Sequence, residues 1–250
     1  MINAYILLPF QTNMLKPGEF DRFVDESGIE IWVTQMGGYM NMNTAFIDRE
    51  NEIVAIVDPF DSRRWVEALE EEGLRPTHLL YTHTHRDHAA GFPQMMRLIP
   101  DLEVWGHSEC NHPGLLSYVV FRKIEFTHFW DHAPQTEEIW TQGNISLTVT
   151  HSPGHAPGHV TFHGHGVFHA GDLLFTYACG RDDLPGSDPL ALLHSIAFAK
   201  HQLMDLPPDW RLIPGHRYDW IDGTTPDWVS IAACLEHNYT LNSPSLPQFE

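Results

Sequence analysis

The sequence predicts an α+β chain in which two β-sheets pack face to face and helices cover their outer sides. Two observations carry that prediction: short runs rich in Val, Ile and Trp alternate with turn residues, and the strands-then-helix order of the first half returns in the second. A third bears on function. Clusters of histidine and aspartate follow the apolar runs, where a rigid sheet can bring separate loops together.

In the first half, strands are expected at 29–35, 43–48 and 53–58. Asp61 or Ser62 then offers an N-cap to a helix over 63–72, in which Trp65, Ala68 and Leu69 fall at helical spacing and Gly73 ends the run. A strand over 77–81 follows. Pro93 suits the first turn of a helix running to about 99, and Val104 begins another short strand. The stretch 109–141 mixes prolines, aromatics and histidines without a clean period, and reads as an insertion over one face of a single domain spanning 1–250. In the second half, strands are expected at 145–150, 160–163, 167–170 and 210–213. Helices are expected over 189–204 and, near the C-terminal end, over about 226–240.

Composition removes several function classes. With 33 acidic against 14 basic side chains, the formal charge of −19 repels a phosphate backbone, so no nucleic-acid partner is expected. The first ten residues hold a short apolar patch with neither a basic start nor a small-residue cleavage site, and nowhere do eighteen apolar residues run together. The expectation is a chain without secretory signal or membrane span. Cys110, Cys179 and Cys234 are odd in number, far apart and free of CxxC spacing, which points to reduced thiols and a cytoplasmic location.

The densest cluster is Thr82-His83-Thr84-His85-Arg86-Asp87-His88, three imidazoles and a carboxylate straight after an apolar run. A hydrophobic core has no use for that composition, whereas zinc, iron and manganese all accept neutral imidazole with carboxylate. Three later clusters carry further donors: His151 to His159 in a Pro/Gly-rich loop, His169-Ala170-Gly171-Asp172 and Ile213-Pro214-Gly215-His216. A fourth, Gly180-Arg181-Asp182-Asp183, suits substrate contact.

HxHxDH, SPGHAPGH, AGD and PGH in this order resemble the metallo-β-lactamase superfamily. Within it, ACGRDDLPGSDPLALLHSI followed by LPPDWRLIPGHRYD is similar to the glyoxalase II group, the hydroxyacylglutathione hydrolases, over about 43–219. The resemblance implies a four-layer αβ/βα sandwich with a two-metal site at one edge. It places one metal on His83, His85 and His155, and the second on Asp87, His88 and His216, with Asp172 bridging. It further implies two divalent ions, zinc first with iron or manganese as alternatives, and a hydroxide held by Asp172 as nucleophile. Asp87 would share in catalysis, and Arg181 and Tyr218 would touch the substrate, a small thiol-carrier thioester. The expected activity is therefore that of a metallo-hydrolase cleaving a thioester or related small ester.

The sequence departs from the glyoxalase II pattern in two places. Asp183 stands where an aromatic residue is usual, and Arg217 is the only Lys or Arg after His216, so the cationic grip on glutathione is thin. A persulfide dioxygenase holding a single iron on His83, His155 and Asp172 is the alternative, as is a lactonase or β-lactamase of the same fold. Of the eighteen histidines, twelve, including His107, His132, His151 and His169, read as surface or hydrogen-bonded core residues, and His159 reads as a tie within its loop.

Overall fold

The computed structural model describes residues 14–247; the apolar patch considered above as a possible signal lies outside them. The first sheet runs in the order β1 (Phe20–Val24), β2 (Glu30–Met36), β3 (Asn41–Asp48), β4 (Ile53–Val57), β5 (His78–Leu80), β6 (Glu103–His107) and β7 (His128–Trp130). It is antiparallel from β1 to β4 and parallel from β4 to β7. Helices α1 (Ser62–Glu70) and α2 (Phe92–Leu98) are the crossovers that parallel pairing requires. The second sheet comprises β8 (Glu137–Gln142), β9 (Ile145–His151), β10 (Val160–Gly164), β11 (Val167–Gly171), β12 (Arg211–Pro214) and β13 (Val229–Ser230), in the spatial order β13-β12-β11-β10-β9-β8. Helix α3 (Pro189–Asp205) crosses from β11 to its parallel neighbour β12, and α4 (Ile231–His237) follows β13.

Side-chain alternation along the strands builds the layers. In β2, Ile31 and Val33 face the second sheet with Phe46, Val57, Leu80, Val149, Phe162 and Ile213, whereas Trp32 faces outward with Ile47, Ile56, Trp65, Leu69 and Met95. A strand apolar on both faces must lie between two layers, and this one separates the inter-sheet core from α1 and α2. The second sheet repeats the pattern, with Phe168 and Leu212 turned out onto Leu192, Ile196, Leu203 and Cys234 of α3 and α4. The result is the four-layer αβ/βα sandwich expected from the sequence. Among the described residues no helix is long and apolar enough to cross a membrane.

Two boundaries differ from expectation. Within 109–141, read as an insertion, β7 and the start of β8 supply edge strands of the two sheets, and a loop remains over about 112–127. Edge strands have one covered face and charged outer positions such as Glu137 and Glu138, so their alternation is faint. The C-terminal helix starts at Ile231 rather than near 226. The Asp227 carboxylate is tied to the Arg217 guanidinium and to the Leu15 N–H, and Ser230 caps the helix by accepting from the Ala233 N–H at 3.1 Å.

Candidate metal centre

Every residue of the site follows the carboxyl end of a strand. The loop after β5 carries His83, His85, Asp87 and His88; β9 leads to His155, β11 to Asp172, and β12 to His216. Two glycines make the approach possible. A Cβ on Gly215 would lie 2.1 Å from Asp172 Oδ1, and Gly171, at φ +50°, would bring one within 2.7 Å of His159 Nε2. The pairing of β11 with β12 shifts register between His169 and Gly171, the kind of irregularity that re-aims a side chain, here beside Asp172.

The two sheets meet at this rim. Met42 N–H donates to Gly215 O at 2.8 Å, Arg217 N–H to Met40 O at 3.0 Å, and His216 Nδ1 to Tyr39 O at 2.8 Å. The ligand atoms of His83, His85 and His155 lie within 4.8 Å of one another, as do those of Asp87, His88 and His216. Asp172 stands between the groups, with Oδ1 3.2 Å from His88 Nε2, and Oδ2 3.3 Å from His155 Nε2 and 3.4 Å from His216 Nε2. All seven side chains that the sequence singled out as metal donors are brought together.

The outer nitrogen of each ring decides what the inner one can do. His155 Nδ1 donates to Arg181 O at 2.7 Å, His88 Nδ1 to Asp58 Oδ2 at 2.8 Å, and His216 Nδ1 to Tyr39 O. Thr82 Oγ1 donates to Asp58 and therefore accepts from His83 Nδ1 at 3.0 Å. In these four rings the outer nitrogen carries a proton, so Nε2 is the atom turned inward, where it can give a lone pair to a cation. His85, by contrast, turns Nδ1 inward, 3.0 Å from His83 Nε2 and 2.9 Å from His155 Nε2, with its Nε2 buried and unpartnered. Lone pairs this close repel unless a proton or cation lies among them, and Asp172 Oδ1 is buried without a hydrogen-bond partner. This donor set fits a divalent metal centre.

Electrostatics divide the site in the same way. Burial, with the neighbouring histidines, holds His83 well below its ordinary pKa and lowers His85 to about 3, so both stay neutral as metal donors must. For His88 and His216 burial acts in the same direction but is outweighed by Asp172 and Asp87, which raise His88 well above its usual value and His216 to about 9. Those carboxylates are themselves held low: burial opposes their ionisation, and His216 and His88 overcome it. This half of the site attracts positive charge, which either a proton or a cation can supply.

Several supporting residues escaped the sequence analysis. Asp58, at φ +47°, anchors both Thr82 and His88, and Asn41 Nδ2 donates to Asp87 Oδ2 at 3.1 Å. An aspartate one residue past a strand is the only sequence sign of the first. His159 has both nitrogens committed: Nε2 accepts from Asp172 N–H at 3.1 Å and Nδ1 donates to Ser152 Oγ at 2.9 Å.

A pocket of about 580 Å³ opens onto the cluster, lined in part by Arg86, Val119, Val120, Phe175, Leu184 and the two residues expected to touch substrate, Arg181 and Tyr218. Arg181 contributes its carbonyl to His155, while its guanidinium is paired with Asp183. Tyr218 packs edge-on against Phe175, with ring centroids 4.7 Å apart.

The sequence profile described as Metallo-beta-lactamase superfamily matches residues 39–216. A hydroxyacylglutathione hydrolase of Tolumonas auensis is 28% identical over 178 residues, 71% of this chain and 62% of that relative, so the match spans less than two thirds of the relative's length. Among solved structures, the BLEG-1 B3 metallo-beta-lactamase superposes with a TM-score of 0.68 at 23% identity, covering 85% of this chain and all of that one. TTHA1623 in a di-iron-bound form superposes with a TM-score of 0.61 at 25% identity, covering 82% and 98%. Motif order, sandwich architecture and profile agree: the chain belongs to the metallo-beta-lactamase superfamily.

Proposed function

We propose that this chain is a metallo-hydrolase that cleaves a small-molecule thioester at a site holding two divalent ions, zinc first and iron or manganese as alternatives. The observation that carries this reading is the convergence of two donor groups, His83, His85 and His155 beside Asp87, His88 and His216, with Asp172 between them. Relatives named hydroxyacylglutathione hydrolase, 28% and 34% identical over parts of the chain, support the thioester. When bound, a metal pair supplies Lewis acidity to a carbonyl and brings a water's pKa from about 15.7 toward about 7.

The chain's own groups do the rest. Asp172, reaching both donor groups, orients the attacking water, and Asp58, Tyr39 O and Arg181 O keep the imidazoles turned inward. Water adds to the acyl carbon, the C–S bond breaks, and the products are a carboxylic acid and a thiol. A thiol with a pKa of about 8.5 leaves as thiolate without a strong acid. Burial, then Asp172 and Asp87, push the Tyr218 phenol up, so it stays protonated and donates a hydrogen bond rather than a proton. Arg217, the one Lys or Arg after His216, is buried against Asp227 and Leu15 O, which withdraws it from any glutathione carboxylate.

The second donor trio, Asp87, His88 and His216, offers a second ion a place, which the hydrolase reading uses; a dioxygenase holding one iron on His83, His155 and Asp172 is the second reading. Elemental analysis of protein purified without added metal, paired with thioester hydrolysis before and after chelation, tests the reading. Two ions per chain and activity restored by metal are expected. One iron per chain with oxygen uptake on a persulfide would replace this reading with the dioxygenase.

A further inference from the structure

The pocket beside the donor cluster is lined by two guanidinium groups in different states. Arg181 is bound through two hydrogen bonds to Asp183, Nε to Oδ1 at 2.6 Å and a terminal nitrogen to Oδ2 at 2.8 Å. A substrate carboxylate arriving there must displace one tethered two residues away, exchanging like for like, and an exposed exchange of that kind yields little. Arg86 lines the same pocket and is exposed. Among the described residues its guanidinium makes no ion pair, hydrogen bond or ring contact.

The backbone beneath Arg86 is fixed. Its N–H donates to Val120 O at 2.8 Å, Arg122 N–H donates to Thr84 O at 2.9 Å, and His85 forms an antiparallel bridge with Phe121. These contacts lock the metal loop to 119–122, part of the stretch first read as an insertion. The guanidinium therefore rises from a rigid base, beside a wall built from Val119, Val120, Phe175 and Leu184. The pocket's carboxylates, Asp87 and Asp172, face the donor histidines. In a chain of net charge −19, an unpaired cation here is a local exception to the field of the whole molecule, and it draws anions to this mouth.

We infer that Arg86 is the anion-binding residue of this site, and that the substrate is a thioester bearing a carboxylate on an otherwise apolar body. The inference rests on the hydrolase reading for its scissile bond and on Arg86 for its charge, and the two can fail separately.

The test uses matched probes on the metal-loaded protein: the S-benzoyl thioester of 3-mercaptopropionate and that of its carboxamide, with the corresponding S-benzyl thioethers as uncleavable ligands. The native protein should prefer the carboxylate probe by about tenfold in kcat/KM, and the carboxylate thioether by about tenfold in Kd, the scale of one charge-assisted hydrogen bond. Arg86→Gln should erase both preferences through KM and Kd, and Arg86→Lys should restore part of them. No preference in the native protein, or one that survives Arg86→Gln and is lost in Arg181→Gln, overturns the assignment. If neither thioester is cleaved, the hydrolase reading falls, and thioether binding still decides for or against Arg86.

Discussion

Among the described residues two histidine clusters stand near each other, and only one of the two has the geometry of a metal centre. At the rim, His83, His88, His155 and His216 commit an outer nitrogen to a carboxylate, carbonyl or hydroxyl and turn the other inward. On the far side of the His155 loop, His107, His132 and His151 line a separate cavity of about 500 Å³. The rings of His107 and His151 stack with centroids 3.6 Å apart, but their nitrogens face the main chain: His107 Nε2 meets His132 O at 3.1 Å, and His151 meets His132 O at 3.1 Å and Pro157 O at 2.8 Å. The same residue type serves as donor set in one place and as clamp in the other. The partner of the second nitrogen separates the two roles.

The strongest way to break this contrast is to remove the carboxylate between the donor groups. Asp172→Ala should release metal and lower turnover by about 10²–10³-fold, as losing one charge-stabilising group does elsewhere. Intact metal content by elemental analysis would return Asp172 to a structural role. Next, Asp58→Asn leaves every proposed ligand in place but weakens the anchor of His88, and metal affinity in a competition titration should fall about 10- to 100-fold. His132→Gln, in the other cluster, should leave that affinity unmoved; equal losses in the two variants would erase the distinction.

Acid sharpens the comparison from the structural side. Burial lowers His107 and His169 to about 4, below the ordinary value of 6.5, so between those limits the unfolded chain binds protons that the folded chain refuses. Stability therefore falls as pH drops through that window, by about 2 kcal/mol per histidine at pH 5. Urea midpoints measured from pH 7.5 down to 4.5 should show this slope, and it should flatten in His107→Gln; a slope unchanged in that variant would remove the clamp from the account. The smallest effect concerns the thiols. Burial pushes Cys110 and Cys234 up to about 12, while Cys179, raised by partial burial, lines the pocket. Mass mapping after brief alkylation at pH 8 should find Cys179 modified first, because about one in ten thousand of the other two is thiolate; early modification of Cys110 would show that its surroundings open.

Much of the site was legible as sequence because four donors lie within six residues of the loop after β5, and the others follow strands in short glycine-rich turns. Asp58 and Asn41 were not legible, since a lone Asp or Asn near a strand end is ordinary and its value here depends on a partner many residues away. Tyr39 and Arg181 hold His216 and His155 through carbonyls, groups common to every residue, so no amino-acid preference announces them. The sequence singled out Arg181 as a substrate contact and passed over Arg86, and only the pairing of Arg181 with Asp183 in the structure set the two apart in the other direction. Strands β1, β7, β8 and β13 escaped because their edge or near-edge positions bury too little surface to impose alternation.

By itself the sequence determined the layering and the donor chemistry, because two-sided apolar strands have to be covered and a dense imidazole and carboxylate loop has no place in an apolar core. Tertiary structure decided which nitrogen of each ring points inward and which arginine stays unpaired. Those choices depend on hydrogen-bond partners supplied by other loops, as when Tyr39 O reaches His216 across 177 residues of chain, and such partners come together only when the two sheets close on each other.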